Sequence, residues 1–265
     1  SARPQNKRCC SVEDISDAAE AAEVIGIPHY VVNFEREFRT GVVDYFLSEY
    51  KRGRTPHPCI ACNDRVKFDP LLARARSIGA DFLATGHYAR IRNAETGTAL
   101  LKAVDTTKDQ SYVLYGLGQE ALSSLRFPCG EHTKDKLREL AEHAGLPNAA
   151  KPDSQDICFI PLGDYKQFLK ERLTQVPGDI VDMDDNVLGE HQGIEFFTVG
   201  QRRGLGVNPG GIREEPLYVI RVESESRRVV VGPEAALYRD RMWVSNCLLY
   251  TSPSPRDATR WGVGG

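Results

Sequence analysis

Residues 79–90 read GADFLATGHYAR. The short apolar run through Phe82, Leu83 and Ala84 is closed by Thr85, Gly86 and His87, which reads as a buried strand ending in a tight connection. Open parallel sheets take ligands at the carboxyl ends of their strands, and a glycine there permits close backbone approach. His87, taken alone, reads as a structural hydrogen-bonding group rather than a catalyst. Upstream, Ser11 and Asp14 resemble a capping box, and Ile15, Ala18, Ala19, Ala22 and Ile25 recur at helical spacing until Gly26 and Pro28 stop the helix. HYVVNF (29–34) reads as a second short buried strand. A helix over 35–51 presents Phe38, Val42, Tyr45, Phe46 and Tyr50 on one face, and another covers 69–78. Helix and strand alternating in this way predict an α/β domain, a parallel sheet with helices on both faces.

Downstream the pattern changes. ARIRNAETGTALLKAV (89–104) alternates about a glycine-containing turn and predicts a hairpin. Helices are expected over 133–143, closed by Gly145 and Pro147, and over 165–173. Beyond Pro177 the chain reads as short strands and turns, with hairpins in GDIVDMDDNVLGEH (178–191) and PLYVIRVESESRRVVVGP (216–233). The division falls near residue 160, with a further break near Gly210 and Gly211. RMWVSN (241–246) reads as the start of an unfinished strand module, and the stretch from 248 to 265 has neither helical nor strand period.

The chain of 265 residues is 41% hydrophobic and 27% charged, enough for two or three cored domains. No apolar run approaches the roughly 18 residues of a membrane span, and SARPQNKRCC at the start has no signal-peptide core. Seven cysteines are few and odd in number, which fits a reducing cytoplasm better than a disulfide scaffold. A net charge of −3 gives no global case for nucleic acid. Locally, Lys51, Arg52, Arg54, Arg65 and Lys67 outnumber Glu49 and Asp64. That cluster reads either as a solvated face or as a setting that stabilises thiolate.

Two cysteines sit inside it, in TPHPCIACN (55–63), where Pro56 and Pro58 stiffen the approach to Cys59 and Cys62. Thiols two residues apart suit a metal knuckle, a disulfide pair or a sulfur relay, and zinc would need two further ligands. Cys158, beside Asp153, Ser154 and Asp156, is either a buried filler or a reactive thiol. Cys9, Cys10 and Cys129 read as packing residues, and Cys247 carries no role.

Five segments, GRTPHPCIACNDRVKF (53–68), GADFLATGHYAR (79–90), KDQSYVL (108–114), DSQDICFI (153–160) and GQRRGLG (200–206), occur in the order and spacing of one family. The chain resembles the tRNA-specific 2-thiouridylases, the MnmA family, from about Cys10 to Asn246. The resemblance implies a PP-loop ATPase-like domain over 1–160 that lacks its first strand and phosphate loop, because no SGGVDSS-like segment is present. It further implies a small tRNA-binding β-rich module over 161–212, the start of a β-barrel over 213–247 and a non-native or disordered tail over 248–265. Such enzymes use ATP with Mg2+ to adenylate the 2-oxygen of a wobble uridine in tRNA, and a cysteine persulfide then gives 2-thiouridine. By motif, Cys62 is the nucleophile, Cys158 the persulfide carrier and Gly86 an ATP contact. His57, Pro58 and Cys59 approach the target base, and Lys108, Asp109 and Gln110 contact tRNA. A cysteine desulfurase or sulfur relay protein is the implied donor. A disulfide between two cysteines is the natural by-product.

Without the phosphate loop, the chain is expected not to turn over ATP. Some family members carry Asp where this chain has Cys59, so the thiol cannot inherit a carboxylate's role as base. Cys59, Cys62 and Cys158 together could instead hold a [4Fe–4S] cluster with one open iron. A metal-stabilised RNA-binding module without catalysis, and a related ATP-dependent enzyme acting on another nucleotide, stay open beside the sulfurtransferase. Tyr112 could stack on a base but reads better as a core residue, and Arg202 and Arg203 read as phosphate contacts or a solvated turn.

Overall fold

The computed structural model describes residues 12–95, 97–151, 157–160, 163–207 and 216–241. The chain separates into two compact units. The first holds Pro58–Asp164 with the chain up to Val42, and the second holds Val43–His57 with the chain from Tyr165 onward.

The first unit opens with α1 (Val12–Ile25). After a stretch without regular structure the chain is helical again, as α2 (Glu35–Phe38) and a π-helical turn (Arg39–Val43), which runs on into α3 (Asp44–Lys51) of the second unit. Next come α4 (Pro58–Cys62), a second π-helical turn (Asn63–Phe68) and α5 (Pro70–Ser77). Pro58 and Pro70 each stand in the first turn of their helix, where the missing N–H costs nothing. β1 (Leu83–Ala84) pairs in parallel with a later strand, β4 (Leu125–Arg126). Between them lie the hairpin of β2 (Ala89–Ala94) and β3 (Gly97–Lys102), a 3-10 turn (Ser111–Leu114) and α6 (Gln119–Ser123). After a 3-10 turn over Pro128–Glu131, α7 (Lys134–His143) starts on Thr133, whose hydroxyl accepts from the Lys136 N–H at 3.3 Å.

The core of this unit is one cluster of Phe68, Ala89, Val113, Leu114, Leu117, Leu122, Leu125 and Phe127. Ile60 packs against it, and Ala61 is buried. The apolar face of α4 therefore turns inward and leaves Cys59 exposed and Cys62 half-buried.

The segment 29–34 is not a strand. It has no regular structure and joins no ladder, and Tyr30, Val31 and Val32 are exposed. An apolar run becomes a strand only where a neighbour offers N–H and C=O groups, and none among the described residues does so here. The expected core position of Tyr112 is also wrong: it is 60% exposed. In the tight turn over 111–114 the buried positions go to Val113 and Leu114, which puts Tyr112 on the outer side. The cap at Ser11, the residues Asp153, Ser154 and Asp156, the break near 210–211, the strand-like 242–246, the tail, and Cys9, Cys10 and Cys247 lie outside the described residues.

In the second unit, α3 meets α8 (Tyr165–Lys170) through ring contacts. Phe46 lies edge-on to Phe168 at 6.2 Å, and Tyr50 stacks on Tyr165 at 5.9 Å. Burial, with Tyr165 beside it, pushes the Tyr50 hydroxyl up to about 12. Four strands, β5 (Gly178–Val181), β6 (Val187–His191), β7 (Tyr218–Glu223) and β8 (Arg228–Gly232), form one sheet in the order β6-β5-β8-β7. Each hairpin is antiparallel, and the two join through the parallel pair β5–β8. Asp182 closes the first turn by accepting the Asp184 and Asn186 N–H groups, both at 2.9 Å. No helix among the described residues is long and apolar enough to cross a membrane.

Candidate functional site: a cysteine helix wired to a strand end

The half-buried Cys62 ends α4, and the π-helical turn that follows sets the phase of the next side chains. Asn63, Val66 and Phe68 all point inward. Asn63 is 1% exposed, and both its amide nitrogen and its amide oxygen have partners. Its Nδ2 donates to the Val113 carbonyl at 3.0 Å. Its Oδ1 accepts from Lys67 Nζ at 3.1 Å and faces His87 Nε2 at 3.2 Å.

These partners fix the imidazole tautomer. With Nδ2 spent on a carbonyl, Asn63 can only accept from His87, so Nε2 carries the proton. His87 Nδ1 then accepts from the Thr85 hydroxyl, 2.7 Å away. His87 is 8% exposed, with the rings of Phe68 and Phe127 at 5.7 Å and 5.9 Å. Burial first, and the Lys67 charge second, depress its basicity to about 4. It is a neutral connector between the residue after Cys62 and the end of β1. The structural reading of His87 is correct, and Asn63 and Thr85 are the partners that sequence reasoning missed. The visible signal was Asn63 beside a cysteine and a hydroxyl two residues before a histidine.

Gly86 is exposed at the carboxyl end of β1, and a side-chain carbon there would meet no atom within 4 Å. The open space suits a nucleotide lying against the backbone, the place where parallel sheets take ligands. The 108–110 triplet borders the same strand end. Gln110 brackets Tyr88: its N–H donates to the Tyr88 carbonyl at 2.8 Å, and its side-chain oxygen accepts the Tyr88 N–H at 3.0 Å. Asp109 accepts from the Ala103 N–H and the Ser111 hydroxyl, both at 2.8 Å. Both side chains thus hold the loop, and Gln110 keeps its amide N–H groups for another acceptor. Lys108 is half-buried, Pro58 is buried, and His57 and Cys59 are exposed.

Asp64, two residues after Cys62, packs its carboxylate over Gly116, and burial then Asp69 raise its proton affinity. Cys158 is half-buried, and its neighbour Phe159 packs edge-on against Phe38 at 5.7 Å. Three residues after the end of α2, the Gly41 carbonyl accepts from Arg65 at 3.2 Å. The helical segment containing Phe38 and Gly41 is therefore a shared support for both cysteine segments. Cys59, Cys62, Cys129 and Cys158 stand as thiols. Burial pushes the Cys129 thiol up, as suits a packing residue. Among the described residues no three His, Cys, Asp or Glu side chains gather closely enough to hold a metal, so Cys59, Cys62 and Cys158 do not form the cage a [4Fe–4S] cluster needs.

Comparison with known proteins places this arrangement. Residues 1–162 match a family model described as a tRNA methyl transferase HUP domain, and residues 166–233 match the corresponding PRC-barrel domain. The tRNA-specific 2-thiouridylase MnmA of Rhodospirillum centenum is 52% identical over 242 residues, covering 89% of this chain and 62% of the relative. The protein of the same name from Geobacter metallireducens is 53% identical over 232 residues, 86% of this chain and 62% of its own. That of Acidithiobacillus ferrooxidans is 48% identical over 251 residues, 94% of this chain and 70% of its own. The chain thus spans roughly two thirds of the length of these curated relatives. An α/β first domain, a β-rich second one, a cysteine helix tied to a strand end through Asn63 and His87, and this degree of identity agree: the chain belongs to the MnmA family of tRNA-specific 2-thiouridylases.

Proposed function

We propose that this chain carries the sulfur-transfer machinery of a cytoplasmic tRNA 2-thiouridylase. The observation that carries the reading is the Cys62–Asn63–His87–Thr85 connection, which holds a half-buried thiol in fixed relation to the open strand end at Gly86. ATP with Mg2+ would lie against Gly86, and the wobble uridine would enter past His57, Pro58 and Cys59. Lys108, with Asp109 and Gln110 holding its loop, would face the tRNA backbone.

The uridine 2-oxygen attacks the α-phosphorus of ATP and pyrophosphate leaves, which turns a poor leaving group into one that departs as AMP. A Cys158 persulfide, loaded by a cysteine desulfurase or relay protein, attacks C2 through its terminal sulfur and AMP departs. The Cys62 thiolate then attacks the Cys158 sulfur, the S–S bond breaks, and its electron pair stays on the sulfur at C2 as the thiocarbonyl. A Cys62–Cys158 disulfide forms, and an external dithiol reduces it for the next turnover. Cys59 is exposed at the same helix and has no required part in this sequence.

The test is nucleoside analysis of tRNA incubated with ATP, a persulfide donor and the protein expressed from its full reading frame. 2-Thiouridine should form, and either Cys62→Ser or Cys158→Ser should abolish it while the variant stays folded. Cys59→Ser should retain it, and active protein purified without oxygen should carry no stoichiometric iron. Thiolation that survives Cys62→Ser, or a methylated nucleoside formed from a methyl donor, would overturn the reading.

A further inference from the structure

The stretch TVGQRRGLG (198–206) leaves the second unit between Phe197 and the strand β7, and nearly every residue in it has an internal task. Gly200, Gly204 and Gly206 have φ of 87°, 70° and 71°, a region that side chains rarely adopt, so the path of this stretch depends on its glycines. The Gln201 side chain staples the turn. Its oxygen accepts the Thr198 N–H at 3.1 Å and its nitrogen donates to the Arg203 carbonyl at 2.9 Å. The backbone is tied to the sheet as well: the Gly200 N–H donates to the Val219 carbonyl at 2.8 Å, and the Val219 N–H donates to the Gln201 carbonyl at 2.9 Å. Leu205 is buried and anchors the exit of the loop.

Arg202 and Arg203 are the exceptions. Both are exposed, and neither guanidinium has an ion pair or hydrogen bond among the described residues. Some arginines of the same unit are matched by acids, Arg221 by Glu223 at 2.6 Å, Arg228 by Asp185 at 3.4 Å and Arg172 by Glu171 at 3.2 Å, and among those without an acid partner Arg202 and Arg203 are the adjacent pair carried on a stapled turn. The loop therefore spends its glycines, its glutamine and its leucine on presenting two adjacent unmatched cations.

We infer that Gln201-stapled Arg202 and Arg203 form a preorganised grip for successive phosphodiesters of an RNA backbone. The inference deepens, and rests on, the reading of tRNA as substrate. Guanidinium matches phosphate through paired N–H donors, and contacts of this kind fix register without reading bases. Both arginines are exposed, and the described residues give their guanidinium groups no hydrogen-bond partner with which to share a small free anion. A polyanion gains from two neighbouring charges at once and releases counterions from both contacts. Because the turn is already held by its own hydrogen bonds, binding does not have to order the backbone. Net charge plays no part, since the chain as a whole carries −3.

The test is unmodified tRNA binding to the protein over a salt series, which requires neither ATP nor sulfur transfer. Arg202→Ala with Arg203→Ala should weaken binding about tenfold or more and lower the slope of log affinity against log salt by about 1 to 2, with an unchanged melting curve. The paired change to Lys should restore most of the slope. Gln201→Ala should weaken binding while leaving the slope near wild type, because the charges remain and only the staple is lost. A double Ala variant with wild-type affinity and slope would overturn the assignment of this loop and leave the tRNA reading intact. A wild-type protein that fails to bind tRNA would overturn both. Displacement of tRNA by millimolar phosphate beyond that caused by chloride of equal ionic strength would assign the loop to a free anion and overturn the RNA grip.

Discussion

Gly130→Ala should destabilise the first unit by at least about 4 kcal/mol, a value reserved for substitutions with an identifiable steric cause. Gly130 is buried in the turn over Pro128–Glu131, where that turn crosses β2. A methyl group on it would fall inside van der Waals contact of the Ala89 carbonyl, overlapping backbone atoms rather than a movable side chain. Ala89 cannot yield easily. It is fully buried, belongs to the central apolar cluster and is paired with Lys102 in the β2–β3 ladder. Gly130 itself is held by its N–H to the Phe127 carbonyl at 3.1 Å, and its carbonyl accepts from Val104 at 2.9 Å. Either side that moved would break a hydrogen bond or open the core, and both are costly in a close-packed interior. Gly118→Ala is the matched control, since a methyl there meets nothing within 4 Å and Gly118 has an ordinary φ of −78°. Urea unfolding of the two variants gives the comparison, and a Gly130→Ala midpoint close to that of the control would rule out this close approach. The damage would reach the candidate site as well, because Ala89 lies two residues after His87.

What could be read from the chain alone divides along a physical line. Features set by neighbours in sequence were legible. The alternation in 89–104 and the glycine at its turn specify the β2–β3 hairpin, Thr133 specifies the start of α7, and two hairpins of the second unit follow from the same pattern. Features set by partners distant in sequence were not. HYVVNF has strand composition, yet a strand is a relation between two segments, and its local apolarity says nothing about a ladder partner. Tyr112 misleads for a related reason: SYVL is apolar on average, and only the tight turn decides which members face the core. At the site, the cysteines and Gly86 stood out by residue type. Asn63 did not, because its role comes from Val113 and from His87, 50 and 24 residues away. Gln110 and Asp109 were legible as a polar pair, but their engagement with Tyr88, Ala103 and Ser111 was not.

The buried connection through His87 makes a second large expected effect, this time on stability against pH. The folded protein holds His87 neutral down to about 4, against the ordinary value of 6.5 that the unfolded chain regains. Between those two values the unfolded state binds a proton that the native state refuses, so stability rises with pH in that window. The contribution is complete above pH 6.5, is lost progressively as pH falls to 4, and does not change further below it. A difference of that size corresponds to about 3 kcal/mol. The groups facing the imidazole account for the direction. Lys67 approaches through the shared Asn63 oxygen, the rings of Phe68 and Phe127 supply no countercharge, and Nε2 already donates to Asn63. A proton on Nδ1 would force the Thr85 hydroxyl to reverse its bond, and it would place a second cation beside Lys67. Asp64 and Glu195, whose proton affinities are raised by burial, act with the opposite sign, while His191, depressed by burial, acts with the same sign as His87. All three remain in His87→Gln, which keeps a donor and an acceptor at this position and cannot take up a proton. The difference between the two denaturant titration series from pH 7 to pH 4 therefore isolates His87. Wild type should lose about 3 kcal/mol more than the variant across that range. Parallel curves would mean that His87 is protonated in the folded state, and the tautomer deduced from Asn63 would then be wrong.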